Sequence, residues 1–110
     1  MVNLLKETLE FLKEYDLTEK DIVAVQGSRF GISVEDFLEL AKNTDYNDGY
    51  GAQEIAADLK VIGKDWWIER HEYDGSEWWE FKSYPVINEQ IKKIESLENT
   101  WDGLALKKEN

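Results

Sequence analysis

The chain has 110 residues, the size of a single domain, and a net charge of −11 from 24 acidic and 13 basic side chains. This excess of acid argues against direct binding to nucleic acid, because neutralising phosphates requires a basic surface. The 13% of aromatic residues excludes a disordered tail, and the absence of cysteine excludes disulfides, thiolate zinc sites and a cysteine nucleophile.

The first predicted elements are a helix, a short hairpin and a second helix. Apolar residues recur at helical spacing over residues 2–15, which predicts an amphipathic helix. The β-branched run at 22–25, the turn Gly27-Ser28 and residues 29–32 predict a hairpin. Ser33 precedes two acidic residues and marks the start of a helix over 34–43. A polar loop follows at 44–51, and residues 55–59 fit either a helical turn or the approach to a strand.

The second half of the chain predicts a three-stranded antiparallel meander and a third helix. The strands are expected at 60–62, 66–73 and 77–84, with Asp74-Gly75 as a two-residue hairpin loop, and Pro85 ends the ladder. The third helix is predicted from a helical spacing of apolar residues before Asp102-Gly103, namely Ile87, Ile91, Ile94 and Leu97. We therefore expect one α+β domain over 1–110, with an antiparallel sheet of hairpin and meander packed with about three helices.

The long hairpin divides its side chains between two faces. With a two-residue loop, Tyr73 lies opposite Ser76, and the pairing continues to Trp67 opposite Lys82. The inner hairpin face is expected to pack on the helices, with Arg70 against the Trp79 ring, and it consists of Trp66, Ile68, Arg70, Trp79 and Phe81. The outer hairpin face consists of Trp67, Glu69, His71, Trp78, Glu80 and Lys82. A three-residue loop would shift the pairing by one residue and exchange the faces of the second strand.

The same hairpin carries a family resemblance. The segment from Gly63 to Lys82, with Trp66-Trp67 and the run from Glu72 to Phe81, resembles a segment of small acidic proteins encoded by phages and prophages of Gram-positive bacteria. The loop at 45–51 is similar to that family too. The resemblance implies a cytoplasmic protein of bacterial or phage origin. No activity is assigned to these proteins, so no functional residue carries over.

Two groups of residues are candidate sites. Tryptophan and tyrosine are enriched at binding hot spots, which makes candidates of Trp67, Trp78, His71, Tyr46 and Tyr50; the alternative is that the rings fill the core. Glu69 lies opposite Glu80 in the preferred pairing, with His71 on the diagonal, and a divalent cation would relieve the repulsion between the two carboxylates. The alternative for Glu69, His71 and Glu80 is an ordinary solvated surface.

The function that these features favour is binding. One histidine, no cysteine and no phosphate-cradling glycine motif offer little for catalysis, so we expect neither an enzyme nor a cofactor. No signal peptide and no apolar run of about 18 residues is present, so we expect a cytoplasmic protein without membrane contact. We predict a protein-binding module or modulator that uses the outer hairpin face to bind a protein partner or a second copy. The alternatives are an acidic mimic that blocks a basic DNA- or RNA-binding groove, and a metal-dependent enzyme.

Overall fold

The computed structural model describes residues 1–47, 49, 51–101 and 103–106. Within these residues the chain forms two α-helices, one short 3₁₀ helix (Glu19–Asp21) and nine strands. The α-helices and strands follow in the order β1 (Val2–Asn3), α1 (Leu4–Lys13), β2 (Ala24–Gln26), β3 (Gly31–Ile32), α2 (Val34–Lys42), β4 (Asp45–Tyr46), β5 (Lys60–Ile62), β6 (Trp66–Tyr73), β7 (Ser76–Ser83), β8 (Ile94–Thr100) and β9 (Gly103–Leu106). Every strand pair is antiparallel. The predicted α+β class is therefore confirmed.

Both helices begin at side-chain caps. The Ser33 hydroxyl accepts the backbone N–H of Asp36 at 3.0 Å, so the predicted start of α2 is confirmed. Asn3 caps α1 in the same way by accepting the N–H of Lys6 at 3.0 Å. The first helix begins two residues later than predicted because Val2 and Asn3 pair with β4 as strand β1. In the part of the chain that the structure describes, neither helix has the length and apolar character needed to cross a membrane.

One five-stranded sheet joins the predicted hairpin to the predicted meander, in the order β3-β2-β5-β6-β7. The connection is made by β5, which pairs with β2 on one side and with β6 on the other. Val25, Val61 and Ile68 lie in one row across these three strands, and each is at most 1% exposed. The loop before β6 is fixed by packing as well, because a Cβ at Gly63 would overlap the Trp66 ring.

The core lies between the inner side of this sheet and the two helices. Leu12 of α1 and Phe37 of α2 pack against the sheet residues Val61, Ile68 and Trp79. Burial of each such side chain is worth about 1.5–3 kcal/mol. The Trp79 indole N–H donates to the Thr8 hydroxyl at 3.0 Å, and that hydroxyl donates to the Leu4 carbonyl at 2.7 Å. The indole is therefore buried without an unsatisfied donor.

The predicted third helix is wrong. Residues 84–93 form no regular element, and β8 and β9 pair as a separate two-stranded hairpin. Ile87 and Ile91, on the expected apolar stripe, are 83% and 89% exposed, so no packing surface stabilises a helix there. The radius of gyration is 19.0 Å, against about 13 Å for a compact chain of 100 residues. The difference arises because the described residues after β7 extend away from the core. Asp102, at the predicted helix end, lies outside the described residues.

Candidate functional site

The β6–β7 hairpin has the register that a two-residue loop predicts. Asp74 and Gly75 have φ of 51° and 86°, the left-handed values that a type I′ loop requires at both positions. Tyr73 pairs with Ser76, and the ladder continues to Trp66 opposite Ser83. The alternative with a three-residue loop and exchanged faces is therefore wrong. Asp and Gly tolerate this conformation better than other residues, which is why the sequence pattern was informative.

The inner hairpin face packs on the helices as predicted. Trp66, Ile68 and Trp79 are at most 6% exposed, and Phe81 is half-buried. The Arg70 guanidinium lies 4.8 Å from the centre of the Trp79 ring, which confirms the expected cation–π contact. Tyr15, just after α1, stacks on Phe81 with ring centres 4.0 Å apart.

Arg70 also belongs to a buried ionic network that the sequence pattern does not predict. Its Nη2 donates to Glu77 at 2.8 Å and to the Tyr46 hydroxyl at 3.0 Å, and its Nη1 donates to Glu7 at 3.3 Å. The side chains of Arg70 and Glu77 have no solvent exposure. The available signal was alternation, which puts Glu77 on the same side of β7 as Trp79. Nothing in the sequence indicates that Glu7, 63 residues from Arg70, completes the set.

The Glu77 carboxylate also holds the loop that precedes β5. It accepts the backbone N–H groups of Glu54 at 2.7 Å and of Ile55 at 3.2 Å. Each oxygen of the carboxylate is therefore hydrogen-bonded, as a buried charge requires. Residues 53–59 contain no helix or strand, and this contact fixes them against the sheet.

Tyr46 is part of the core, the alternative stated for these rings, and does not lie on the outer hairpin face. It is 2% exposed, and its hydroxyl donates to Glu7 at 2.6 Å while accepting from Arg70. Burial and the hydrogen bond to Glu7 raise the pKa of Tyr46 well above its usual range. For Arg70, burial acts to lower the pKa, but the hydrogen bonds to Tyr46 and Glu77 and the charge of Glu7 outweigh it, so the pKa is raised. Tyr50, the second tyrosine predicted from the loop, lies outside the described residues.

The outer hairpin face is open in the described chain. Trp67 and Trp78 both lie outside the core cluster, and Trp78 is 36% exposed. Trp67 packs edge-on against Tyr84, with ring centres 5.5 Å apart. Strand β5 continues this face, because Ile62 pairs with Trp67 and Lys60 pairs with Glu69. The structure thus brings three predicted binding residues, Trp67, His71 and Trp78, onto one side of the sheet.

The geometry does not support the candidate metal site at Glu69, His71 and Glu80. Glu69 lies 3.7 Å from Nε2 of His71, whereas Glu80 lies 3.4 Å from Nδ1. The two carboxylates therefore flank opposite nitrogens of the ring and do not converge with one nitrogen on a common point, as metal ligands must. Among the described residues no group of three or more metal-ligating side chains is placed to hold an ion.

Glu80 is instead fixed by its neighbours on the face. It accepts the Trp78 indole N–H at 3.1 Å and lies 3.6 Å from Lys82 Nζ. The hydrogen bond from Trp78, and then the charges of His71 and Lys82, hold the pKa of Glu80 below its usual range. Glu80 is therefore a carboxylate that orients the Trp78 ring.

Charge on this face is balanced, in contrast to the whole chain. Glu69 and Glu80 are accompanied by Lys60 and Lys82, which lie in the same or the adjoining row. The net charge of −11 therefore resides on other surfaces.

The chain matches no protein-family model, and no curated protein or solved structure is detectably similar to it. The resemblance to phage and prophage proteins therefore stays a prediction.

Proposed function

We propose that this protein is a non-catalytic binding module of the cytoplasm, of phage or prophage origin, that recognises a protein partner through the outer hairpin face. The observation that carries the proposal is the division of the four hairpin tryptophans. Trp66 and Trp79 fill the core, whereas Trp67 and Trp78 lie on the side of the sheet opposite to α1 and α2. Aromatic rings outside a core are enriched at protein interfaces.

The hydrogen bonding of this face supports the proposal. The Trp78 indole N–H is engaged by Glu80, so the ring is held in one orientation before a partner arrives. Such ordering reduces the side-chain entropy that binding must overcome, about 0.5–1.5 kcal/mol for an immobilised side chain. Trp67 is held in turn by Tyr84. The face is therefore a pre-ordered aromatic surface.

The balance of charge favours protein recognition over the nucleic-acid mimic. A mimic of phosphates presents a row of carboxylates without intervening cations, because each one must meet a lysine or arginine of the target groove. On the outer hairpin face Lys82 lies beside Glu80, and Lys60 pairs with Glu69. The acidic mimic remains the alternative for the other surfaces of the chain.

The test is a pull-down from nuclease-treated bacterial lysate with wild type and Trp78→Ala. We expect a specific band that the variant loses, while circular dichroism shows the same fold because Trp78 lies outside the core. Phe30→Ala is the matched control, since Phe30 is an aromatic ring 71% exposed and distant from β6 and β7. Equal capture by Trp78→Ala and wild type would show that the outer hairpin face is not the binding surface.

The salt dependence of the captured complex separates the two functions. Binding through aromatic rings with balanced charge weakens little between about 0.05 and 0.3 M salt, whereas a phosphate mimic loses affinity steeply over that range. A steep loss that survives Trp78→Ala would favour the acidic mimic.

A further inference from the structure

Strand β7 has a free edge. It is the last strand of the five-stranded sheet, and among the described residues β6 is the strand with which it pairs. A two-residue loop closes on a hydrogen-bonded pair, here Tyr73 and Ser76, and such pairs then alternate with non-hydrogen-bonded pairs along the ladder. The backbone N–H and C=O groups of Trp79, Phe81 and Ser83 therefore point away from β6. A free edge of this length is a template for another strand.

We propose that the free edge of β7 pairs with β7 of a second copy of this chain, antiparallel and centred on Phe81. In this register Glu80 of each copy faces Lys82 of the other, which gives two opposite-charge pairs related by the twofold axis. Trp78 of each copy then faces Tyr84 of the other, and these side chains are 36% and 74% exposed. The two five-stranded sheets become continuous across the axis.

The charges on β7 select this register over its neighbours. Backbone pairing allows shifts of the centre to Glu80 or to Trp79, because the same backbone groups then still face each other. A centre at Glu80 puts the two Glu80 carboxylates directly opposite each other, which is unfavourable. A centre at Trp79 puts Glu80 against Trp78 and leaves Lys82 facing Ser76, without a charged partner. Centring on Phe81 gives Glu80 and Lys82 each a partner of opposite charge. It also places Pro85, which has no N–H to donate, opposite Glu77 at the end of the ladder.

The net charge of each copy opposes the assembly, whereas the Glu80–Lys82 pairs favour it. Two chains of −11 repel at long range, and this repulsion is screened beyond about 8 Å at 0.15 M ionic strength. The Glu80–Lys82 pairs act at contact distance, where salt screens less. We therefore expect the dimer to strengthen when salt is raised from about 0.01 to 0.15 M.

Sedimentation equilibrium of the full chain at 0.15 M salt tests the proposal. We expect the wild type to dimerise, and we expect Glu80→Lys and Lys82→Glu each to raise the dissociation constant roughly tenfold by placing like charges opposite each other. The double variant with both changes restores the opposite pairs and the wild-type constant. An equimolar mixture of the two single variants forms a mixed dimer more stable than either variant alone, an outcome that altered folding of one chain does not produce.

Ser83→Pro tests the backbone pairing. The Ser83 N–H points away from β6, so proline there spares the β6–β7 ladder but removes a donor from the free edge. We expect a monomer whose melting temperature equals that of the wild type when both are measured below the dissociation constant of the wild-type dimer. A wild type that is monomeric at every concentration would overturn the proposal, and so would a mixture of the two charge variants that forms no mixed dimer. Glu80, Lys82 and Trp78 also belong to the outer hairpin face, so capture of a partner does not decide this inference. Ser83→Pro separates the two, because it changes the free edge and leaves the side chains of the outer hairpin face in place.

Discussion

Glu77→Gln is the change that most directly tests the buried ionic network. The side chain of Glu77 is fully buried and accepts three hydrogen bonds, from Arg70 at 2.8 Å and from the backbone N–H groups of Glu54 and Ile55. Glutamine has the same shape but one oxygen fewer and no charge. One of the three donors then meets the amide NH₂ group, and Arg70 loses its closest counter-charge.

The size of the effect follows from what remains around Arg70. Removing one partner of a buried ion pair costs about 3–5 kcal/mol, because a buried charge is left without compensation. Glu7 still lies 3.3 Å from Arg70 and is 20% exposed, so part of the compensation survives. We therefore expect the lower end of the range, about 3 kcal/mol. For a chain of this length that loss lowers the melting temperature by about 12 °C.

Urea unfolding followed by tryptophan fluorescence measures the loss. An unchanged slope of the unfolding free energy against urea concentration checks that the unfolded state is the same. Glu72→Gln is the matched control. Glu72 pairs directly with Glu77 across the hairpin but is exposed, and its change should stay within about 0.5 kcal/mol. A loss below about 1 kcal/mol for Glu77→Gln would refute the view that this carboxylate neutralises Arg70 in the core.

Three further predictions concern the core, the stability of the fold at acidic pH and the C-terminal segment. Thr8→Val leaves the buried Trp79 indole N–H without its acceptor and should cost about 1–3 kcal/mol in urea unfolding; a neutral effect would contradict the hydrogen bond. Hydrogen bonds from the backbone and hydroxyl of Ser28 hold the pKa of Asp58 below its usual range. The ionised Asp58 therefore stabilises the fold above the pKa of the unfolded chain, about 4, and this stabilisation is lost as pH falls through the lower pKa of the folded state. The stability difference between wild type and Asp58→Asn should therefore shrink on acidification from about pH 6 to about pH 3, and a constant difference would contradict this. Deletion of residues 94–110 should change the free energy of unfolding by no more than about 0.5 kcal/mol in thermal or urea unfolding, because the described apolar side chains there are largely exposed; a larger loss would show that this segment packs on the core.

The features predictable from sequence are those set by neighbouring residues. The Asp74-Gly75 loop fixes both the register of the hairpin and the faces of its side chains, since two successive left-handed residues allow one geometry. Ser33 marks the start of α2 because a cap acts on the N–H groups of the next turn. In both cases the determining contacts lie within a few residues, where spacing can be read directly.

The features that sequence did not predict depend on contacts between distant segments. The sequence leaves Tyr46 open as a binding residue or a core residue, because its burial depends on Glu7 and Arg70, which lie 39 and 24 residues away. The apolar spacing after Pro85 predicted a helix, yet a periodic stripe forms a helix only where a surface receives it, and Ile87 and Ile91 meet none. Likewise, the metal hypothesis depended on the orientation of His71, which pairing alone does not determine.

The central position of β5 has a consequence for the order in which the chain folds. Strands β5, β6 and β7 are joined by loops of two or three residues, so they meet at small entropic cost. Strand β2 pairs with β5 only after residues 27–59, including α2, have been arranged between them. We expect the transition state to contain the β5–β7 meander and to lack the β2–β5 pairing. In stopped-flow kinetics, Gly75→Ala should then slow refolding, whereas Val25→Ala should mainly accelerate unfolding.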